Sequence, residues 1–345
     1  MSRSRFTITL VALAAMLLLL AAACMLFGSV HIEAGVVWNI LTGHSSGNRA
    51  WDIIVLQTRL PMVLTATLAG AALSVSGLLL QTTFNNPLAG PSILGVSTGA
   101  GLGVAVVMLA LGGTVGSTVV LHSTGSYLAT LIGALVGAGV VLLILMLMAQ
   151  VVHSSTMLLI VGILVSYLTS SIVSLLNSIA SEEGVHSYVT WGFGTFSGVS
   201  TGQLPLFSVA LLVPLCLAVF MIKPLNALLL GQRYAENLGV NTRTTRNVLL
   251  LLTGLLTAVV TAYCGPIAFI GLVVPHIARL SLGTSNHARL LPATLLAGAC
   301  VALACALASV VSPYGIIPIN AITPIIGVPI IVYIILNRRR INYFN

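Results

Sequence analysis

The chain has 345 residues, of which 58% are hydrophobic and only 5% charged, and it carries a formal net charge of +8. Soluble domains carry roughly 25% charged residues, so a water-facing surface cannot be built from this composition and most of the outside must face lipid. The basic residues stand singly between apolar runs, which argues against a nucleic-acid partner and suits the positive excess of cytoplasmic loops. Backbone groups in hydrocarbon must be satisfied within their own segment, and the apolar runs are too long for barrel strands. The expected fold is therefore all-α and polytopic, a single transmembrane domain over 1–345.

Ten spans are predicted, near 6–28, 60–83, 92–111, 126–149, 156–179, 204–222, 246–265, 267–283, 292–311 and 320–337. The start, "MSRSRFTITLVALAAMLLLLAAAC", imitates a lipoprotein leader ending at Cys24. Its apolar stretch runs on to about Phe27, past the roughly 7–15 residues of a signal core, so a retained first helix is expected. With both termini cytoplasmic, the inner side holds Arg3, Arg5, Lys223, Arg233, Arg243, Arg246, Arg279, Arg289 and Arg338 to Arg340, and only Arg49 and Arg59 fall outside. That bias satisfies the positive-inside rule. The external stretch 29–59 offers Trp38 and Trp51 as interface anchors, and 180–203 reads as a short helix near the outer surface.

Between spans two and three lies "FNNPLAGPSILGVSTGAGLG". A phosphate-cradling loop would need a strand before it and a helix N-terminus open to water, and neither is expected. Pro87 and Pro91 stop helices and Gly90 permits a sharp turn. Gly95, Gly99 and Gly103 recur every fourth residue, a spacing that lets helix backbones approach closely in lipid. Ala66, Gly70 and Ser74 repeat it in span two, and Gly133 and Gly137 in span four. The stretch reads as a packed hinge.

All five acidic residues (Glu33, Asp52, Glu182, Glu183, Glu236) lie outside the spans, and no span carries a charge near its centre. Ion-coupled transporters and pumps place ionisable groups at mid-membrane, so a secondary transporter is disfavoured. No nucleophile with a base suggests an enzyme. The five cysteines sit in apolar runs without a CxxC pair and read as small core residues, with no metal site. Energy for transport would come from a partner docking on the cytoplasmic face. The longest connection there is "KPLNALLLGQRYAENLGVNTRTTR", where Leu230, Tyr234 and Leu238 share one face at i, i+4, i+8. Gly239 suits a helix C′ position, and Asn241 or Thr242 could cap the next helix. On spacing alone, docking and an amphipathic helix lying on headgroups fit equally.

Three stretches, "RLPMVLTATLAGAALSVSGLLLQTTFNNPLAGPSILGVSTGAGLG", "LNALLLGQRYAENLGVNTRTTRN" and "GPIAFIGLVVPHIARL", resemble the FecCD-type permease subunits of type II ABC importers for iron-siderophore, haem and cobalamin. The resemblance implies a homodimer in the bacterial cytoplasmic (inner) membrane, in contact with lipid. Two cytoplasmic ABC ATPase subunits would hold the ATP and Mg, this chain binding no cofactor. A periplasmic or surface-tethered binding protein would deliver the ligand. By this resemblance Gln232, Arg233, Tyr234, Ala235, Glu236, Asn237, Leu238 and Gly239 are the ATPase-coupling segment, within about 225–246. Arg59 and Arg49 would dock the binding protein. Ser166, Thr169, Ser170, Ser174 and Asn177 of span five, with Asn320 and Thr323 of span ten, would line the path. Met62 and Ser309 stand where relatives often carry further basic residues. Pro275, His276 and Arg279 read as a kinked, anchored helix end or as a second ATPase contact. The main reading of the cargo is an iron complex, with cobalamin the alternative. His186, Tyr188 and Trp191 at the outer mouth could touch an aromatic ligand or anchor a helix.

Overall fold

The computed structural model describes residues 3–111, 124–152, 154–311 and 315–336; Arg338 to Arg340 lie outside them. Every regular element within this range is helical. The order begins with α1 (Arg3–Leu26), α2 (Ala34–Leu41) and α3 (Arg49–Ile53). A wide-turned segment, Ile54–Arg59, joins α3 to α4 (Leu60–Thr83) without a break. Next come α5 (Val96–Ala105), α6 (Thr124–Val151), α7 (Ser155–Ile179) and α8 (Glu182–Gly192). Then follow α9 (Leu204–Phe220), α10 (Ile222–Leu228), α11 (Gln232–Asn237) and α12 (Thr242–Cys264). The chain closes with α13 (Ile270–Leu282), α14 (His287–Val310) and α15 (Ile319–Leu336).

Six of these helices are long and apolar enough to cross a membrane, and they overlie predicted spans one, two, four, five, seven and nine. A seventh crossing results if α9 and α10, which meet at 56°, form one broken span. Shorter apolar helices overlie predicted spans three, eight and ten. Two of those begin later than the hydropathy suggests. A turn over 91–95 delays α5 to Val96, and Gly265 (φ +76) with Phe269 (φ +67) delays α13 to Ile270. The 13 residues of α13 reach about 20 Å, against a hydrocarbon core of about 30 Å.

The interior is made of α4, α12 and α14, while α1 and α7 present most of their surface outward. Lipid is as apolar as leucine, so helices gain by close backbone approach rather than by hiding apolar area. The small residues of α4 achieve this. A Cβ on Gly70 would meet Ala302 Cβ at 2.5 Å, and one on Gly77 would strike the carbonyl of Gly271. Ser74 Oγ donates to Thr294 O at 3.0 Å, so the third member of the spaced set fastens α4 to α14. Of the five cysteines, Cys24, Cys264, Cys300 and Cys305 are buried as free thiols and Cys216 is exposed.

The stretches 29–59 and 180–203, expected to be external, contain short helices. Glu33 precedes α2, on which Trp38 stands exposed, and Trp51 packs against the core. Ser181 Oγ caps α8 by accepting from Gly184 N at 3.3 Å. Tyr188 and Trp191 stack with ring centroids 6.1 Å apart, and both lie beside Gly101 of α5. They anchor α8, while His186 is exposed.

Candidate functional site

The hinge after α4 is held by polar contacts from α13. Asn85 adopts φ +45, a left-handed conformation that asparagine tolerates, and Asn86 Oδ1 accepts from Leu88 N at 2.9 Å. His276 Nε2 bonds Pro87 O at 2.8 Å, and Arg279 Nη1 donates to Gln81 Oε1 at 2.5 Å. Both side chains are buried. The reading of His276 and Arg279 as a second ATPase contact is therefore corrected. They face inward and lock α13 onto the end of α4.

The loop between α9 and α12 stands out from this base. Gly231 (φ +98) starts α11 and Gly239 (φ +83) ends it, and Asn241 Oδ1 caps α12 by accepting from Thr244 N at 3.0 Å. Ala235 is buried, so one side of α11 rests on the protein. Leu230, Tyr234 and Leu238 are 60%, 64% and 62% exposed, an apolar triplet on a short projection. Arg233 and Asn237 are exposed beside it. Glu236 turns back instead: its Oε1 accepts from Thr242 Oγ1 at 2.7 Å and from Gln232 Nε2 at 3.3 Å. Glu236 and Gln232 thus brace the projection rather than edge the apolar face. At its root Arg243 Nη2 donates to Gln150 O at 3.2 Å and Arg246 Nη2 donates to Ala149 O. Two cations cover the carbonyl end of α6, where the helix dipole favours positive charge.

On the opposite side Arg59 does the same for α1. Its Nη1 donates to Met25 O at 2.6 Å and Leu26 O at 3.1 Å, and its Nη2 donates to Val30 O at 2.5 Å. The residue is 5% exposed, so the guanidinium expected to meet a binding protein is turned toward its own chain. Three backbone carbonyls at the end of α1 occupy the guanidinium. Arg49 is exposed at the start of α3. Met62 is buried, and Ser309 Oγ donates to Ile317 O at 2.5 Å across the α14–α15 connection. Neither offers a charge or a free group to a partner.

The residues assigned to the path separate into two groups. Ser170 and Ser174 are exposed on α7, where Ser174 Oγ donates to Ser170 O at 3.0 Å. Ser166 and Asn177 are half-buried on the same helix. Thr169 and Thr323 are buried, so they do not line an open surface of the subunit. Asn320 is a fastener: its Nδ2 donates to Gly192 O at 2.9 Å and Pro266 O at 2.5 Å, and its Oδ1 accepts from Ala268 N at 3.2 Å. This one side chain, expected to line the path, ties α8, the loop before α13 and α15 together.

Gly99 and Gly103 lie on the face of α5 that meets α6. A Cβ at Gly99 would come within 2.7 Å of Gly137 O, and one at Gly103 would strike Gly133 O. Gly95 departs from the pattern, since it sits ahead of the helix at φ +82, where a Cβ would meet Ser166 Oγ at 2.9 Å and Gly162 O at 3.1 Å on α7. Among the described residues no group of three or more His, Cys, Asp or Glu side chains could hold a metal ion.

Comparisons with known proteins place this helical scaffold in a family. The FecCD transport family matches residues 15–337. The chain belongs to that family. The hemin transport system permease HmuU of Yersinia pestis is 33% identical over 327 residues, covering 94% of each chain. The vitamin B12 import system permease BtuC of Klebsiella pneumoniae is 36% identical over 290 residues, covering 84% of each. A solved metal-chelate type ABC transporter in an inward-facing conformation superposes with a TM-score of 0.81 at 29% identity, over 96% of this chain and 98% of that one. As a FecCD-family member the chain is a transport permease subunit and not an enzyme, with ATP hydrolysis on a separate subunit. It is a multi-pass protein of the bacterial inner membrane.

Proposed function

We propose that this permease carries a metal chelate inward along the axis of a homodimer, with two ABC ATPases seated under the 232–239 projection and a binding protein above. The carrying observation is the projection itself. Tyr234 and Leu238 are large, apolar and exposed on a short helix braced by Glu236 and Thr242, as suits an interface anchor. The family match over 15–337 supplies the class of partner.

Ten spans with both termini cytoplasmic remain the proposed topology. Six long helices, the bent α9–α10 pair and three short apolar helices supply the required number of segments. Six of these segments precede 232–246, which puts its basic residues on the side of the N-terminus. The exposed serines of α7, Ser170 and Ser174, are the proposed path surface, since α7 is also the long helix, after α1, least covered by its own subunit. Arg49 is the remaining cationic candidate for the binding protein.

For the cargo, cobalamin is favoured over an iron complex, the reverse of the order suggested by the motifs alone. The vitamin B12 permease relative shares 36% identity against 33% for the hemin permease. The deciding experiment is ATP-dependent uptake into proteoliposomes holding the permease, its ATPase and its binding protein, with labelled cyanocobalamin, haem and a ferric siderophore supplied separately. Uptake of cyanocobalamin alone is the expected result. Uptake of haem or the siderophore without cyanocobalamin would return the assignment to iron complexes.

A further inference from the structure

The projection must influence the spans to gate a path, yet a cavity of about 520 Å³ separates α11 from the end of α4. Gln232, Glu236 and Thr242 line one side of it, and Thr82, Thr83 and Asn85 the other. Direct contact across that space cannot transmit a push. A solid route runs behind it through α10, the helix that leads into the projection.

Asn226 of α10 reaches the start of α14 and makes three bonds there. Its Oδ1 accepts from His287 N at 2.8 Å and from His287 Nδ1 at 3.0 Å, and its Nδ2 donates to Asn286 Oδ1 at 3.1 Å. The amide orientation is set, because a backbone N–H can only donate. His287 Nδ1 therefore carries its proton, and neutral His287 presents Nε2 as an acceptor. Nε2 lies 2.8 Å from Thr82 Oγ1, whose one hydroxyl proton is shared between Nε2 and Leu78 O, 3.1 Å away and the longer of the two contacts. His287 is fully buried and Thr82 nearly so. Leaving a buried group without its bond is costly. The three side chains form one directional chain from the root of the projection to the last turn of α4. That turn opens into the hinge that Asn85 and Pro87 form.

We propose that Asn226, His287 and Thr82 are the positioning residues that convey movement of the coupling segment to the end of α4. The proposal rests on the reading of 232–239 as the coupling segment. Coupling between distant sites travels through chains of packed side chains and hydrogen bonds such as this one.

The test uses the permease–ATPase complex in lipid nanodiscs, with Cys216→Ser and a fluorophore on Leu88→Cys, an exposed hinge position. A non-hydrolysable ATP analogue is the probe, so cargo identity does not enter. Thr82→Val and Asn226→Leu should each reduce the fluorescence response about fivefold or more, the lower range of measured coupling free energies. Thr82→Ser should restore it. The ATPase should copurify normally with all three, and Thr82→Val keeps the side-chain shape. An undiminished response in Thr82→Val and Asn226→Leu, or no response in the parent complex, overturns the proposal. A Thr82→Ser variant that fails like Thr82→Val also overturns it, since only packing would then be at stake. Failure of the coupling reading shows separately, as normal ATPase association and response in Tyr234→Ala.

Discussion

Gly103 and Gly133 meet backbone to backbone. A Cβ built on Gly133 would lie 2.8 Å from Gly103 O, and one built on Gly103 would collide with Gly133 O. Gly103→Ala must therefore push α5 and α6 apart, at a cost of about 1–3 kcal/mol for an overpacked contact. Gly139, nearly two turns further along α6, has open space at its Cβ position. Gly139→Ala should be neutral or stabilising by up to about 1 kcal/mol through helix propensity. Thermal unfolding of the detergent-solubilised protein compares the two. Equal midpoints would mean that the glycine contact does not hold the pair together.

Arg59 is expected to act on stability and not on docking. Hydrogen bonds to a charged group contribute about 1.5–3 kcal/mol each, and Arg59 makes three to the end of α1. Arg59→Gln should lower the unfolding midpoint substantially at every salt concentration. Binding-protein affinity of the surviving folded fraction should stay unchanged. Arg49→Glu should do the opposite, keeping the midpoint and weakening capture most at low salt, as a screened exposed charge does. A salt-dependent capture defect in Arg59→Gln would restore it to the interface.

Gly239 separates backbone strain from steric contact, because its φ is +83 and nothing lies within 4 Å of its Cβ position. Gly239→Val should misdirect the projection at a cost of about 1–3 kcal/mol of local strain. Gly239→Asn should be tolerated, since asparagine adopts left-handed φ more readily. Tyr234→Ala should cost 2 kcal/mol or more of ATPase affinity, roughly thirtyfold. Pull-down of the ATPase with each variant reads all three. Full association of Gly239→Val and Tyr234→Ala would reduce the segment to a headgroup-bound helix.

Asn320 and the α7 serines should part company. Asn320→Leu removes three bonds to Gly192, Pro266 and Ala268 and leaves carbonyls buried. It should lower stability by several kcal/mol, each orphaned group costing about 1–3. Ser170→Leu and Ser174→Leu, at exposed positions, should leave the unfolding midpoint within about 0.5 kcal/mol while lowering uptake. Uptake unchanged by both leucines would remove α7 from the path.

What the sequence determined by itself was everything that depends on a residue and its near neighbours. The charge deficit placed the chain in lipid, and apolar run length set the helices. Four-residue glycine spacing marked the contact faces of α5 and α6, and Gly239 with Asn241 marked the ends of α11 and the start of α12. These are local properties of backbone φ, helical period and desolvation, and they are written in consecutive residues. The tertiary structure alone decided what each polar side chain touches. Arg59 and Asn320 look like surface or path groups in the sequence because each stands near the end of an apolar run. The carbonyls they bind belong to segments 29 to 128 residues away, and no spacing rule reports that. Thr82, Asn226 and His287 carry no local signal either. In a lipid-facing chain the few polar groups must find partners inside the protein, and only the packing of α4, α10 and α14 shows which partner each one found.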